Sequence, residues 1–227
     1  MGEHKEEIKK AYKDLGRAGS LYDQIITYST PLGGWMNKMI WGFTKEENDQ
    51  WLENVLDAVP ADFASKLLEV PVGTGILTMP LYRTIPKAQV TCLDYSEQMM
   101  NNAKKRAEEM NLQNITFRQG DVGALPFEDE TFDLVLSLNG FHAFPDKEAA
   151  YRETYRVLKK GGIFCGCFYI REANPKTDKW IHNVHERKGF FTPPYETVSS
   201  LTKRLSDMYE EAAVTNVKSI ATFRCVK

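Results

Sequence analysis

Apolar and polar residues follow two rhythms along this chain, and the change falls near residue 66. Before it, the spacing is helical. Ile8, Ala11, Tyr12 and Leu15 share one face. Ser20 with Asp23 reads as a capping box for a helix carrying Leu21, Tyr22, Ile25 and Ile26. Pro31-Leu-Gly-Gly34 is expected to break that helix, and a short apolar run, Trp35 to Phe43, comes after it. Thr44 with Glu47 makes a second capping box, and Trp51, Leu52, Val55, Leu56 and Val59 supply the buried face of a helix that Pro60 stops.

From residue 66 short apolar runs alternate with helical ones. Strands are predicted at 66–71, 89–94, 114–118, 132–138 and 162–170. Helices are predicted between them at roughly 74–83, from the N-cap Ser96 with Met99, Met100, Ala103, Ala107 and Met110 inward, and over 146–158. Lys159-Lys-Gly-Gly162 reads as the C-cap of the last. The nearly continuous apolar run at 132–138 suits a central parallel strand covered on both faces. Right-handed crossovers then give an α/β fold with a doubly wound, mostly parallel, Rossmann-like sheet. Residues 1–50 form an N-terminal helical cover of the same domain, and 51–227 the core, with an insertion at about 171–195. That insertion loses periodicity apart from a short helix about 178–187, and a helix over 195–209 succeeds it. The alternating tail 216–226 gives one further strand, with a full terminal hairpin looking cramped.

The 227 residues suffice for one substantial core without disulfides. A net charge of -2 gives no reason to expect a nucleic-acid partner. The charged first ten residues do not read as a signal peptide, and no apolar run nears membrane-spanning length, so a cytoplasmic protein without stable membrane association is expected. Cys92, Cys165, Cys167 and Cys225 lie in apolar strand-like segments and read as buried thiols. His182 and His185 lack a third ligand at suitable spacing, so no metal site is expected.

The candidate chemistry starts at Leu68–Gly75 (LEVPVGTG), a strand passing through a glycine turn into a helix. Such a turn offers backbone N–H groups to a polar ligand. Asp94 ends the next strand, where a carboxylate can accept from ribose hydroxyls. A nicotinamide dinucleotide is the first ligand to weigh, yet its fingerprint wants a third glycine where Thr78 stands.

Four segments sharpen this: Leu68–Gly75, Val90–Ser96 (VTCLDYS), Gly120–Ser137 (GDVGALPFEDETFDLVLS) and Tyr155–Gly162 (YRVLKKGG). Together they resemble the successive motifs of class I S-adenosylmethionine-dependent methyltransferases, closest to the branch of quinone-biosynthesis and small-molecule enzymes, over roughly residues 45–170. The resemblance implies S-adenosylmethionine as cofactor and a small, apolar or aromatic methyl acceptor. It implies that Glu69 ends strand one, and that Gly73 and Gly75 approach the methionine part of the cofactor. Asp94 would take the ribose hydroxyls, Tyr95 flank the adenosine and Met99 lie below it. Asp121 would accept from the adenine amino group, Val122 offer its backbone N–H, and Asn139 line the methionine side. Asp129 and Asp133 read as structural acids. Pro71 departs from the pattern, replacing the first glycine and removing an N–H donor.

Methyl transfer needs alignment, exclusion of water and, for some acceptors, a base. His142, just past strand four, is the candidate base, with a half-buried structural histidine as the competing reading. Tyr22 and Phe144 are the first candidates for the acceptor pocket among the chain's many aromatics. Two other functions compete: a noncatalytic cofactor-binding protein of the same fold, kept open by Pro71, and a nicotinamide-dependent oxidoreductase. The oligomeric state is not legible.

Overall fold

The computed structural model describes residues 21–57 and 59–227; the expected face at Ile8 to Leu15, and Ser20, lie outside them. Three helices open the described chain: α1 (Leu21–Thr27), α2 (Pro31–Trp41) and α3 (Lys45–Asp57). Pro31-Leu-Gly-Gly34 does interrupt the helical run after α1, but it also begins α2. Thr30 caps the new helix by accepting from Gly33 N, with Pro31 at its first turn, where a missing N–H costs nothing. The two glycines are there for close approach. A Cβ on Gly33 would stand 2.3 Å from the Gln24 carbonyl oxygen, and one on Gly34 2.6 Å from the Tyr28 ring. The Thr44–Glu47 capping box forms in both directions.

The sheet has seven strands in the order β3-β2-β1-β4-β5-β7-β6. They are β1 (Lys66–Glu69), β2 (Gln89–Asp94), β3 (Ile115–Gln119), β4 (Phe132–Leu138), β5 (Leu158–Tyr169), β6 (Glu211–Val217) and β7 (Ile220–Val226). The first five pair in parallel; β7 runs antiparallel to β5, and β6 antiparallel to β7. The remaining helices are α4 (Thr78–Tyr82), α5 (Glu97–Glu109), α6 (Lys147–Val157), α7 (Pro175–Trp180), which continues as a π turn over Ile181–Glu186, and α8 (Val198–Met208).

The pleat of the central strands divides the core in two. Leu67, Leu134, Leu136, Cys165 and Cys167 face one layer, which also holds Ile26, Ile40, Trp41 and Trp51 of the N-terminal helices. Leu68, Val135, Phe164 and Phe168 face the other, with Tyr151, Leu201 and Leu205. Strands covered on both faces read as unbroken apolar runs, which is why β4 is plain in the sequence. All four cysteines are buried and free.

Three expectations are corrected. The terminal hairpin is complete: β6 and β7 pair over their full length through the two-residue turn Lys218-Ser219. It fits because only Tyr209 and Glu210 separate the end of α8 from the start of β6. Lys159-Lys-Gly-Gly162 is not a helix C-cap. Leu158 is already extended and paired with Phe132, and the segment is the bulged start of β5. The C-terminal carbonyls of Tyr155 and Leu158 are instead satisfied by the Lys227 ammonium. Met99 does not face inward; it is exposed, whereas Met100, Ala103 and Ala107 are buried.

Candidate functional site

The strand order reverses between β1 and β4, and in open α/β sheets such a switch point opens a crevice beyond the carboxyl ends of the strands. Two adjoining compartments occupy it. The larger, about 550 Å³, is lined by Asp94, Tyr95 and Met99 after β2, Asp121 and Val122 after β3, and Phe144 after β4. The smaller, about 40 Å³, is lined by Glu69, Gly75, Leu138 and Asn139, and by Ile26 from α1. Tyr22, Pro71, Gly73 and Thr74 form the wall common to both.

All ten residues expected to bind the cofactor therefore line one compartment or both, as do Tyr22 and Phe144. Phe144 lies on an unexpected side, because it shares the large compartment with Asp94 and Asp121 rather than the small one. His142 lines neither.

Asp94 is nearly buried. Its Oδ2 accepts from Gly73 N and its Oδ1 from Ser96 N, each at 2.8 Å, which fixes the carboxylate at the cleft and ties β2 to the glycine turn. Burial raises its pKa, against the lowering effect of those N–H donors. Gly73 and Gly75 have positive φ, 55° and 68°, where side chains are strained. A Cβ on Gly75 would press on Met79 and Ala103, while one on Gly73 would meet nothing within 4 Å, so that backbone lies bare toward the cleft. Pro71 follows a cis peptide, and its ring packs on Gly140, where a Cβ would lie 2.4 Å from Pro71 Cδ. Asp121 accepts from Gly123 N and caps the short turn Val122–Ala124. Asn139 is also left-handed, φ 54°, which asparagine tolerates better than most residues.

Glu69 is buried, and burial pushes its carboxyl up to about 8 despite hydrogen bonds donated by Tyr82 Oη at 2.8 Å and Cys92 Sγ at 3.5 Å. No lysine, arginine or histidine is among the described residues lining either compartment. A pyrophosphate would meet carboxylates there and no cation. A phosphate-free ligand carrying a sulfonium, an ammonium and a ribose diol matches the donor and acceptor set, so the residues fit S-adenosylmethionine.

His142 sits behind the cleft. Its Nδ1 accepts from Tyr169 N at 3.1 Å, and its ring stacks on Phe191 at 3.9 Å and 15°. Burial lowers its pKa to about 3, with further lowering by Lys147 and His185. A ring so placed stays neutral near neutral pH, with its Nδ1 lone pair already engaged, and is a poor proton acceptor. The same aromatic cluster explains the other rings. Trp41, Tyr169, Phe191 and Tyr195 pack on one another at 5.1–6.5 Å and fasten residues 171–195 to the body instead of lining the cleft.

One feature of the site has no signal in the residue spacing: a clamp over the glycine turn. Asp23 of α1 accepts from Thr74 Oγ1 at 2.8 Å and pairs with Arg106 of α5 at 2.7 Å, and Arg106 also donates to the Thr74 carbonyl. These groups are distant in the chain and individually ordinary, so no motif links them. Asp129 and Asp133 have structural partners, Arg156 and Lys159. Among the described residues, no His, Cys, Asp and Glu cluster could hold a metal, and no helix is long and apolar enough to cross a membrane.

Residues 67–162 match the family described as a methyltransferase domain. The chain is 28% identical to demethylmenaquinone methyltransferase of Listeria monocytogenes over 237 aligned positions, covering 97% of this chain and 93% of the relative. Among solved structures, the fold is similar to the YcgJ protein of Bacillus subtilis, with TM-score 0.63 and 22% identity over 74% of this chain and 70% of that one. It is also similar to an S-adenosylmethionine-dependent methyltransferase of Thermotoga maritima, with TM-score 0.59 and 22% identity over 80% and 95%. Strand order, cleft chemistry and sequence likeness agree: residues 67–162 form a methyltransferase domain, the fold is that of the Rossmann-like S-adenosylmethionine-dependent methyltransferases, and the sequence is similar to those of the quinone-biosynthesis branch.

Proposed function

We propose that this methyltransferase methylates a ring carbon of a small aromatic acceptor of the quinol type. The observation that carries the reading is the end-to-end likeness to a protein named demethylmenaquinone methyltransferase. The apolar surroundings of the small compartment, Ile26 and Leu138 beside Tyr22, are compatible with it.

The cofactor supplies a methyl group on a positively charged sulfur. In this reading Asp94 holds the ribose hydroxyls, Asp121 and the Val122 N–H take the adenine edge, and Tyr95 and Met99 flank the rings. Gly73, Gly75 and Asn139 approach the amino-acid end beside Glu69, and Pro71 shapes the turn without donating. Phe144 belongs with the adenosine, and Tyr22 with the acceptor. The cleft would hold an acceptor carbon made nucleophilic by its ring oxygens against the electrophilic methyl group that the cofactor would supply, and the proton displaced from that carbon would pass to water. His142 acts as a positioning residue for β5 and Phe191, which its low pKa and its bond from Tyr169 N favour over a base. His142→Ala is accordingly expected to keep the pH profile of turnover while losing stability.

The test is incubation of the protein with S-adenosylmethionine and a reduced naphthoquinone lacking the ring methyl, beside catechol and amine acceptors, with products read by mass. Methylated quinol matched by demethylated cofactor is expected. Transfer to catechol or amine but not to the quinol would overturn the reading.

A further inference from the structure

The α1–α2 hairpin turns an apolar face outward. Trp35 is 61% exposed, Leu32 55% and Met39 39%, at positions i, i+3 and i+7 of one helix. Leu21 and Tyr22 of α1 and Pro31 are exposed with them. Between Leu21 and Phe43 only two residues are charged. Asp23 is buried against Arg106, so Lys38 is the one charge the hairpin's exposed residues carry. Isolated exposed apolar residues are ordinary, but six together beside a single lysine call for a cause.

We propose that this face docks reversibly on a lipid bilayer, with Trp35, Leu32 and Met39 in the interfacial layer and Lys38 at the level of the lipid phosphates. The inference rests on the quinol reading above, because a quinone with an apolar tail resides in the bilayer. Three observations favour lipid over protein. The composition, a tryptophan and aliphatic side chains with a basic and no acidic residue, is that of an interfacial helix. A second copy packed symmetrically on this face would set the patch against itself, Lys38 near Lys38 with no exposed carboxylate on the hairpin to answer it. Finally, the face is continuous with the cleft, since Tyr22 belongs to the same hairpin and lines both compartments. An acceptor ring could reach Tyr22 while its tail stayed among the lipids.

The test is co-sedimentation of the full chain with vesicles of phosphatidylcholine and phosphatidylglycerol, without cofactor or acceptor. Wild-type protein should bind, with a blue shift of tryptophan emission. The double variant Leu32→Glu/Trp35→Glu should bind at least tenfold less while taking up S-adenosylmethionine as wild type does, which shows that it is folded. Lys38→Glu should weaken binding severalfold, and only when phosphatidylglycerol is present. Phe190→Glu removes an equally exposed ring outside the hairpin and should change nothing. Absence of vesicle binding by wild type, or equal binding by the double variant, would overturn the inference. So would a wild-type dimer in solution that the double variant abolishes, which would make the face a self-interface. Turnover of a short-tailed, water-soluble quinol, measured without vesicles, tests the acceptor reading separately. It should be the same in wild type and the double variant, and its absence with vesicle binding intact would remove the acceptor and leave the docking surface.

Discussion

The two halves of the cleft differ in how finished they are. The half proposed for the adenosine is roomy, about 550 Å³, and its polar groups are already held: Asp94 by two backbone N–H groups, Asp121 by a third. The half proposed for the methionine end is narrow, about 40 Å³, room for little more than a water or two, and Tyr22 and Ile26 of α1 form part of its wall, held in place by Asp23, Thr74 and Arg106. A preorganised half can bind its part of a ligand without rearrangement, whereas a narrow one requires its walls, α1 among them, to give way. The contrast assigns affinity to the first half and control of access to the second, and it can be broken from either side.

The largest effect is expected from Gly140→Ala. The new Cβ would lie 2.4 Å from Pro71 Cδ and 2.7 Å from Phe144 Cζ, both rigid groups on the cleft walls. Overpacking of this kind costs about 1–3 kcal/mol. Denaturant unfolding should show that loss, and calorimetry a matching loss of cofactor affinity, because the turn at Pro71 and the wall at Phe144 both move. Unchanged affinity would mean that the turn geometry does not matter to binding.

Asp94→Asn comes next. Amide for carboxylate weakens the acceptor of Gly73 N and Ser96 N and of any ribose hydroxyl, a loss of about 2 kcal/mol or roughly thirtyfold in cofactor Kd, with a much smaller effect on the acceptor KM. The reverse split would move Asp94 out of the adenosine half.

Glu69 probes the narrow half through pH. Its carboxyl titrates at about 8 in the folded protein and at the ordinary 4.5 when unfolded. Between those values the folded state holds a proton that the unfolded state has lost. Stability from this group is thus complete below about 4.5 and falls as pH rises toward about 8, where the loss ends. Glu69→Gln should flatten that slope in thermal melts taken across the window. If the cofactor's ammonium comes to lie against Glu69, binding at pH 7 must also release a proton. The heat of binding should then vary with the ionisation enthalpy of the buffer in wild type and not in Glu69→Gln.

The smallest effect on chemistry belongs to His142→Ala. Turnover should stay within a factor of about two between pH 6 and 9, while unfolding should reveal a loss of about 1–3 kcal/mol from the orphaned Tyr169 N–H and the lost stack on Phe191. A lost alkaline or acid limb in the pH profile would restore His142 as a base.

The same division marks what can be read from the chain. The larger compartment is legible as a place because its residues sit at the ends of consecutive parallel strands, so strand boundaries alone bring Asp94 and Asp121 to one edge. Ser96 and the Thr44–Glu47 box are legible because a cap is settled within four residues. The narrow half depends on contacts between distant segments. Asp23 reads as part of a helix cap, yet it meets Arg106 across 83 residues. His142 follows the right strand, but which way its ring turns is decided by Tyr169 and Phe191, far along the chain. The terminal hairpin escapes because it depends on how tightly β6 follows α8, which alternation does not encode.

Amide hydrogen exchange with two ligands tests the contrast most directly. 5′-Methylthioadenosine fills only the adenosine half, and S-adenosylmethionine reaches both. Methylthioadenosine is predicted to protect residues 94–99 and 120–122 and to leave the α1–α2 hairpin unchanged, while S-adenosylmethionine alters exchange in both places. Equal effects of the two ligands on the hairpin, or no effect of S-adenosylmethionine there, would contradict the division of the cleft into a roomy half and a narrow one.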